Sequence, residues 1–121
     1  MQWNNKTPIF MQLKEMVVAL IIDGQIGEGE AVPSVRQVSS DYQINPLTVS
    51  KAYQELVDSK ILEKRRGLGM FVNKGAKDKL LESEKKEFLQ NEWPLIMQKI
   101  QRLGLSLKQL EKATATSGDN V

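Results

Sequence analysis

The 121-residue chain is 40% hydrophobic and 26% charged, with a formal net charge of +2, and its length suits one ordinary domain or a small domain with an accessory segment. It contains neither cysteine nor histidine, which excludes disulfides and thiolate metal sites and removes the commonest general base. We therefore expect a protein that is not an enzyme and that needs no metal or cofactor.

The first predicted helix begins at Thr7-Pro8, because threonine is a favourable N-cap and proline suits the first helical position. Its apolar residues recur at spacings of three and four, as on one face of a helix: Ile9, Leu13, Met16, Val17, Leu20 and Ile21. Gly24 ends this helix, and residues 27–30 are expected to form a loop.

The longest apolar run of the chain, residues 16–22, lies inside this first helix pattern. It is far shorter than the ~20 apolar residues that span a bilayer, and it lacks the flanks of a signal peptide. We therefore predict a cytoplasmic protein that has no membrane partner.

A second and a third predicted helix follow, joined by a tight turn. Ser34 is expected to cap the second helix, with Gln37 completing a capping box three residues later. The third helix opens at Asn45-Pro46, again a capping residue followed by a proline. Its inner face is predicted to be apolar: Val49, Ala52, Tyr53, Leu56 and Val57.

Two short strands are predicted at residues 62–65 and 70–73. Residues 66–69 join them with the sequence R-G-L-G, whose glycines permit a tight reversal. The order of helix, helix, turn, helix and hairpin is that of a winged helix-turn-helix, to which we assign residues 1–75. The predicted fold class is mainly α with a small β-hairpin.

A helical segment of different composition follows the hairpin. Residues 76–90 and 93–103 have amphipathic helix patterns. Gly104 ends the second of these helices, and Ser106 with Gln109 starts a third, short piece. From residue 113 the chain is small and polar, which predicts a disordered tail at 113–121.

The apolar faces of this segment need a partner surface, because short amphipathic helices cannot enclose a core alone. A second copy related by a two-fold axis is the commonest solution, so we expect residues 76–112 to be a dimerisation segment. The alternative is that the segment folds back on its own winged helix. The residues expected at the dimer interface are Leu81, Phe88, Trp93, Ile96, Met97, Ile100 and Leu103.

The candidate DNA-binding residues follow from the geometry of the motif. A helix-turn-helix places the start of its second helix in the major groove, while the preceding helix crosses the DNA backbone. Residues 34–75 carry seven basic and four acidic side chains, which concentrates positive charge in this region. The candidates are Arg36 on the preceding helix, Asn45, Leu47, Thr48, Ser50 and Lys51 at the start of the next, and Lys64, Arg65, Arg66 and Gly67 in the hairpin.

Each residue type suits a different contact with DNA. Arg36 has the length and fork geometry to bind a phosphate or a guanine. Asn45 and Thr48 can hydrogen-bond to phosphates or base edges. Lys51 supplies a positive charge for a phosphate, and Leu47 can contact a thymine methyl. The basic hairpin residues are expected along phosphates or in the minor groove, where the glycine of the turn permits a close backbone approach.

Simpler structural roles stay open for several of these residues. Ser34 and Asn45 are explained equally well as helix caps alone. Tyr53 suits the core, although its hydroxyl could otherwise reach a phosphate. The basic run at residues 64–66 would by itself be a solvated turn, and only its place after a helix-turn-helix favours DNA.

Three pieces of sequence, in the same order and spacing, resemble the DNA-binding domain of the GntR family of bacterial transcription regulators. They are P-S-V-R at 33–36, T-V-S-K-A-Y-Q-E-L at 48–56 and R-R-G-L-G-M-F-V at 65–72, within a resemblance that covers residues 7–73. The resemblance implies that the matching residues contact DNA: Arg36, Asn45, Thr48 and Gly67.

Three residues depart from the family pattern. Pro46 and Ser50 stand where family members can carry arginine, so we expect sparser direct base reading and more weight on phosphates and DNA shape. Lys60 stands where members usually have glycine at the end of the recognition helix, a site suited to left-handed backbone.

The short C-terminal segment is similar to that of the YtrA subfamily, whose members use it mainly to dimerise and often repress transporter operons. The leading hypothesis is therefore a sequence-specific, homodimeric repressor of a transporter-type operon that binds a palindromic operator in double-stranded DNA. One alternative is a regulator that responds to an unknown small-molecule effector in a pocket at the dimer interface. The other is a winged helix that binds another protein instead of DNA.

Overall fold

The computed structural model describes residues 3–119. Its elements, in chain order, are α1 (Ile9–Ile22), α2 (Val35–Tyr42), α3 (Pro46–Asp58), β1 (Leu62–Arg65), β2 (Gly69–Val72), α4 (Ala76–Glu87), a π-helical turn (Phe88–Glu92), α5 (Trp93–Leu103) and α6 (Leu107–Asp119). The predicted fold class, mainly α with a small β-hairpin, is confirmed. Among the described residues, no helix combines the length and apolar character needed to cross a membrane.

The chain forms two compact units, the first ending at Glu82 and the second beginning at Ser83. This division falls later than the sequence-based boundary after residue 75. The physical reason is that Ala76 and Leu80, in the first two turns of α4, are buried in the core of the first unit.

The core of the first unit lies between α1 and α3, whose apolar faces were predicted from spacings of three and four. The hairpin and the start of α4 close it. Its buried residues include Leu13, Val17 and Ile21 of α1, Val38 of α2, Val49, Ala52, Tyr53 and Leu56 of α3, and Leu62 and Val72 of the strands. Burying a side chain of this size contributes about 1.5–3 kcal/mol, so this core positions α3.

The helix starts agree with the sequence in part. Thr7 does not cap α1, because Pro8 occupies the N-cap position and no side chain bonds there. Ser34 caps α2 by accepting a 3.0 Å hydrogen bond from the Gln37 amide. The Gln37 side chain donates to Asp41 instead of reaching back to Ser34, so only half of the predicted capping box forms.

The hairpin is antiparallel, and its register pairs Leu62 with Val72 and Lys64 with Met70. The second strand lies one residue earlier than predicted. A further pairing, not predicted from the sequence, lies on the other edge of β2, where the Val32 amide donates to the Met70 carbonyl at 3.0 Å. This pairing ties the hairpin to the loop before α2.

The second unit contains α5 and α6, and its helix junction has the predicted chemistry. Gly104 is left-handed with φ +68°. The Ser106 amide donates to Gln109 Oε1 at 2.8 Å, and the Gln109 amide donates to Ser106 Oγ at 3.2 Å. This is a complete capping box.

The C-terminal end differs from the sequence-based expectation of disorder after residue 112. Helix α6 continues to Asp119, and the Thr114 hydroxyl donates to the Leu110 carbonyl at 3.0 Å. Ala113 and Ala115 favour a helix whereas the threonines, Ser117 and Gly118 do not, so the composition of this stretch did not indicate the helix. Residues 120 and 121 of the predicted tail lie outside the described residues.

Candidate nucleic-acid interface

The start of α3 presents the side chains predicted for a recognition helix. Asn45 caps the helix, its Oδ1 accepting a 2.9 Å hydrogen bond from the Leu47 amide. Capping therefore accounts for the Oδ1 atom of Asn45, whereas the Nδ2 group of the same side chain takes no part in the cap. Leu47 is 77% exposed, Ser50 is exposed and Thr48 is half-buried. A single exposed leucine is common on protein surfaces, so the exposure of Leu47 shows only that its side chain is accessible to a partner.

Arg36 lies in the first turn of α2 with an exposed side chain. Among the described residues it forms no salt bridge. Its guanidinium is therefore available to a phosphate or a base edge.

A groove of about 320 Å³ separates α3 from the hairpin. Among the residues that line it are Ser50 and Gln54 from the helix, and Lys64, Arg65 and Gly67 from the hairpin. Four of these five residues were predicted to bind DNA, and the structure brings them to one place. Gln54 was missed, although its position one turn after Ser50 on the same helix face was a usable signal.

The three cations of the hairpin have different surroundings. Arg65 lies 4.2 Å from the centroid of the Phe71 ring and 3.6 Å from Glu63, an exposed ion pair. Lys64 points to the opposite face of the strand, since side chains alternate, and Arg66 is exposed in the turn. Within the described chain, Lys64 and Arg66 have no ion pair, so they are the freer cations.

Lys51 points toward α1. Its Nζ lies 4.0 Å from the centroid of the Phe10 ring, a cation–π contact. One turn further along both helices, Lys14 Nζ lies 3.2 Å from Glu55 Oε1. Both contacts lie between α1 and α3 and add a small contribution to the core packing that positions α3.

A second cavity, of about 260 Å³, lies where α2 ends and α3 begins. Asn45 and Thr48 line it together with Trp3 and Tyr42, whose rings meet edge to face with centroids 5.9 Å apart. Sequence reasoning missed Trp3, because the residues before α1 have no periodic pattern.

Gln12 holds the N-terminal arm, residues 3–8, in place. It is 5% exposed, and its Nε2 donates to the carbonyls of Asn4 and Thr7, both at 2.8 Å. Its Oε1 accepts a 3.0 Å hydrogen bond from the Asn4 amide. Because the buried side-chain amide of Gln12 has hydrogen-bond partners for both its nitrogen and its oxygen, it stabilises one conformation of the arm.

Tyr53 is a core residue, as its position on the inner face predicted. Its side chain is fully buried, and its hydroxyl donates to the Pro33 carbonyl at 2.6 Å. Burial raises the pKa of Tyr53 to about 12. The hydroxyl thus joins α3 to the segment before α2.

The predicted dimer-interface residues are only partly covered within one chain. Leu81 is half-buried in the first unit. In the second unit Trp93, Met97 and Ile100 are half-buried, whereas Phe88, Ile96 and Leu103 are exposed. Phe88 and Trp93 pair with ring centroids 6.2 Å apart.

The comparisons with known proteins agree with this geometry. The family model for bacterial regulatory proteins of the gntR family matches residues 11–72. The HTH-type transcriptional repressor YtrA of Bacillus subtilis is 38% identical over 80 residues, which are 66% of this chain and 62% of the repressor. The match thus spans less than two thirds of that relative's own length.

Solved structures agree in fold. A GntR family regulator from Listeria monocytogenes superimposes with a TM-score of 0.73 at 20% identity, over 94% of this chain and 98% of that one. The DNA-binding domain of AraR, solved with operator ORR3, has a TM-score of 0.54 at 25% identity, over 60% of this chain and 87% of that one.

The relatives that match are transcriptional regulators and not enzymes. The family match, the winged helix and the exposed recognition-helix start therefore support one assignment. The chain belongs to the GntR family of DNA-binding transcriptional regulators, and it is YtrA-like within that family.

Proposed function

We propose that the protein is a homodimeric repressor that binds a palindromic operator through the first unit and pairs through the second. The observation that carries the DNA-binding part is the groove between α3 and the hairpin, where Ser50, Lys64, Arg65 and Gly67 lie together. Such a groove can receive a DNA backbone while the helix start lies in the major groove.

The contacts divide between positioning and reading. Lys64 and Arg66 bind phosphates, and Gly67 allows the backbone of the turn to approach the DNA closely. At the helix starts, the side chains that face bases or phosphates are Arg36, Asn45, Leu47, Thr48 and Ser50. Lys51 and Arg65 contribute less to DNA affinity, because the rings of Phe10 and Phe71 already hold them.

The proposed dimer is supported by the apolar side chains that the second unit leaves uncovered. Phe88 and Ile96 are each 41% exposed and Leu103 is 59% exposed. A two-fold partner would bury these side chains and would present two recognition helices to the two halves of a palindrome.

Repression, rather than activation, is proposed from the likeness to the Bacillus repressor YtrA. The transporter-type operon follows from the subfamily resemblance of the short C-terminal segment. A regulator that binds chromosomal operators acts in the cytoplasm, and we propose that location.

The test is a gel-shift titration on DNA from the protein's own promoter region, at several salt concentrations. We expect tighter binding than to random DNA and a linear fall of log affinity with log salt. Arg36→Ala should weaken specific binding by about 1–3 kcal/mol. Lys86→Ala removes an exposed cation of the second unit and is the matched control, which should change affinity little.

Two results would contradict the proposal. Equal affinity for promoter and random DNA would remove sequence specificity. Affinity that is indifferent to salt and to Arg36→Ala would instead favour a winged helix that binds another protein.

A further inference from the structure

The long helical stretch of α4 and α5 is interrupted by a single π-helical turn, Phe88–Glu92. At its end the Trp93 amide donates to the Phe88 carbonyl, five residues earlier. An α-helix would instead bond that amide to the carbonyl of Leu89, four residues earlier. Turns of this kind are rare and often occur at functional positions.

Pro94 explains why the turn is widened at this place. Proline has no amide hydrogen, and its ring collides with the carbonyl four residues earlier in a regular helix, here that of Gln90. Trp93 nevertheless keeps helical angles, φ −58° and ψ −43°. A wider turn immediately before the proline relieves the collision and lets the helix continue.

The widened turn decides which side chain lies beside Trp93. In a regular α-helix, residues five apart point about 140° away from each other, and residues four apart share a face. Regular geometry would therefore place Leu89 beside Trp93. In the structure Phe88 lies there instead, with ring centroids 6.2 Å apart, and Leu89 is 60% exposed.

The face that Phe88 joins is the apolar face of α5. From Trp93 onward its residues recur at spacings of three and four: Trp93, Ile96, Met97, Ile100 and Leu103. The π turn thus extends this face by one turn with an aromatic side chain. Regular helix would extend it with Leu89 and turn Phe88 away.

We propose that Pro94 is a positioning residue that, through the π turn, selects Phe88 over Leu89 for the surface on which a second copy of the chain pairs. This proposal rests on the homodimer proposed above. Its first half, the selection of Phe88, concerns a single chain and can be measured whether or not the dimer exists.

The first experiment measures the geometry by nuclear Overhauser effects from the Trp93 indole. In the wild-type protein we expect contacts to the Phe88 ring. In Pro94→Ala, whose alanine favours regular helix, we expect contacts to the Leu89 methyl groups instead. If Pro94→Ala keeps the Phe88 contact, the proline does not select the register and the proposal is overturned.

The second experiment measures the dimer dissociation constant by sedimentation equilibrium. Phe88→Ala should weaken the wild-type dimer by about tenfold or more, because a large apolar contact is lost from each copy. Leu89→Ala is the matched control and should leave the constant within about twofold, since surface truncations have small effects. In the Pro94→Ala background this order should reverse.

A compensating deletion separates register from other effects of the proline. Removing Gln90 from Pro94→Ala leaves Phe88 four residues before Trp93, so a regular helix again places them on one face. We expect this variant to recover the wild-type dissociation constant, whereas Pro94→Ala alone is about tenfold weaker.

The outcomes distinguish the two proposals. Contacts that move to Leu89 while dimerisation is unchanged overturn the role of the register and leave the homodimer standing. A wild-type chain that is monomeric at all concentrations overturns the homodimer and the pairing role of Phe88, even if the contact to Trp93 is found.

Discussion

Both units of this chain contain amphipathic helices, but they differ in whether the apolar faces of those helices are buried within the chain. In the first unit the apolar faces of α1 and α3 meet, and Leu13, Tyr53 and Leu56 are at most 1% exposed. Among residues 83–115, whose side chains the structure describes, none is buried. Apolar spacing therefore predicts where a helix face lies, but not whether the chain itself covers that face.

The same distinction applies to charge in the first unit. Lys51 and Arg65 contact aromatic rings within the chain. Arg36, Lys64 and Arg66 have no ion pair or ring contact among the described residues, and all five cations are exposed. A side chain that is satisfied internally stabilises the fold, and one that is not is available to a partner. Under the proposed function, the cations that contact rings help to position α3, and the others bind DNA.

The largest expected effect comes from truncating the first core. Leu56→Ala should lower the free energy of unfolding by about 2–5 kcal/mol, because it removes buried methyl groups and leaves a cavity. The measurement is urea denaturation at low protein concentration. Ile96→Ala, in the second unit, is the control and should change that value by at most about 0.5 kcal/mol. Similar losses for both variants would break the comparison between the two units.

The next effect is a loss of stability at high pH that belongs to the first unit. Burial raises the pKa of Tyr53 from 10.0 to about 12, so folding favours the neutral phenol. The contribution of this pKa difference to the free energy of unfolding is complete below pH 10 and is lost as the pH rises to about 12. Two pKa units correspond to about 3 kcal/mol.

The measurement is the free energy of unfolding between pH 9 and pH 12, compared with Tyr53→Phe, which has no phenol to titrate. The difference between the two proteins should shrink or change sign as the pH rises through this window. A constant difference would mean that the Tyr53 hydroxyl is solvated in the folded protein.

Much of the fold was predictable from local signals. Asn45 and Ser34 were identified as caps from residue type and position, and glycines marked the hairpin turn. The different surroundings of Lys64 and Arg65 were also predictable, because neighbouring residues of a strand face opposite sides. Pro94 inside a helical pattern was a signal for an irregular turn.

Other features had no local signal. The contact of Lys51 with Phe10 depends on how α1 crosses α3, which sequence spacing does not fix. The arm at residues 3–8 is held by Gln12, a polar residue of α1 that lay outside the apolar face predicted from spacing. The hydrogen-bond partners of Gln12 are backbone groups of the arm. Because every residue type carries such groups, the sequence of the arm did not indicate the contact.

A smaller effect tests the difference between cations that contact an aromatic ring and cations that do not. Lys64→Met should reduce the slope of log affinity against log salt by about one, because one phosphate contact is lost. Lys51→Met should leave that slope unchanged and lower the free energy of unfolding by about 0.5–1 kcal/mol, the worth of an exposed cation–π contact. Gel-shift titrations and urea denaturation measure the two quantities. A reduced slope for Lys51→Met would restore that lysine to the DNA-binding set.

The smallest expected effect is a gain in stability at Lys60. This residue ends the turn after α3 with φ +65°, a left-handed conformation that favours glycine. The backbone is held there from both sides, since the Lys60 amide donates to the Val57 carbonyl at 3.0 Å and its carbonyl accepts from Asn73 Nδ2 at 2.9 Å. The surrounding contacts of the first unit thus impose a conformation that lysine disfavours.

Lys60→Gly should therefore raise the free energy of unfolding by about 0.5–1 kcal/mol. Gln43, with φ +56°, is the matched position at the end of α2, and Gln43→Gly should give a gain of similar size. Urea denaturation of both variants is the measurement. A loss at Lys60 alone would show that the lysine side chain contributes more than the backbone strain costs. That side chain lines a separate cavity together with Glu28 and Glu63. In that case the first unit would satisfy this charge internally as well, as it does at Lys51 and Arg65.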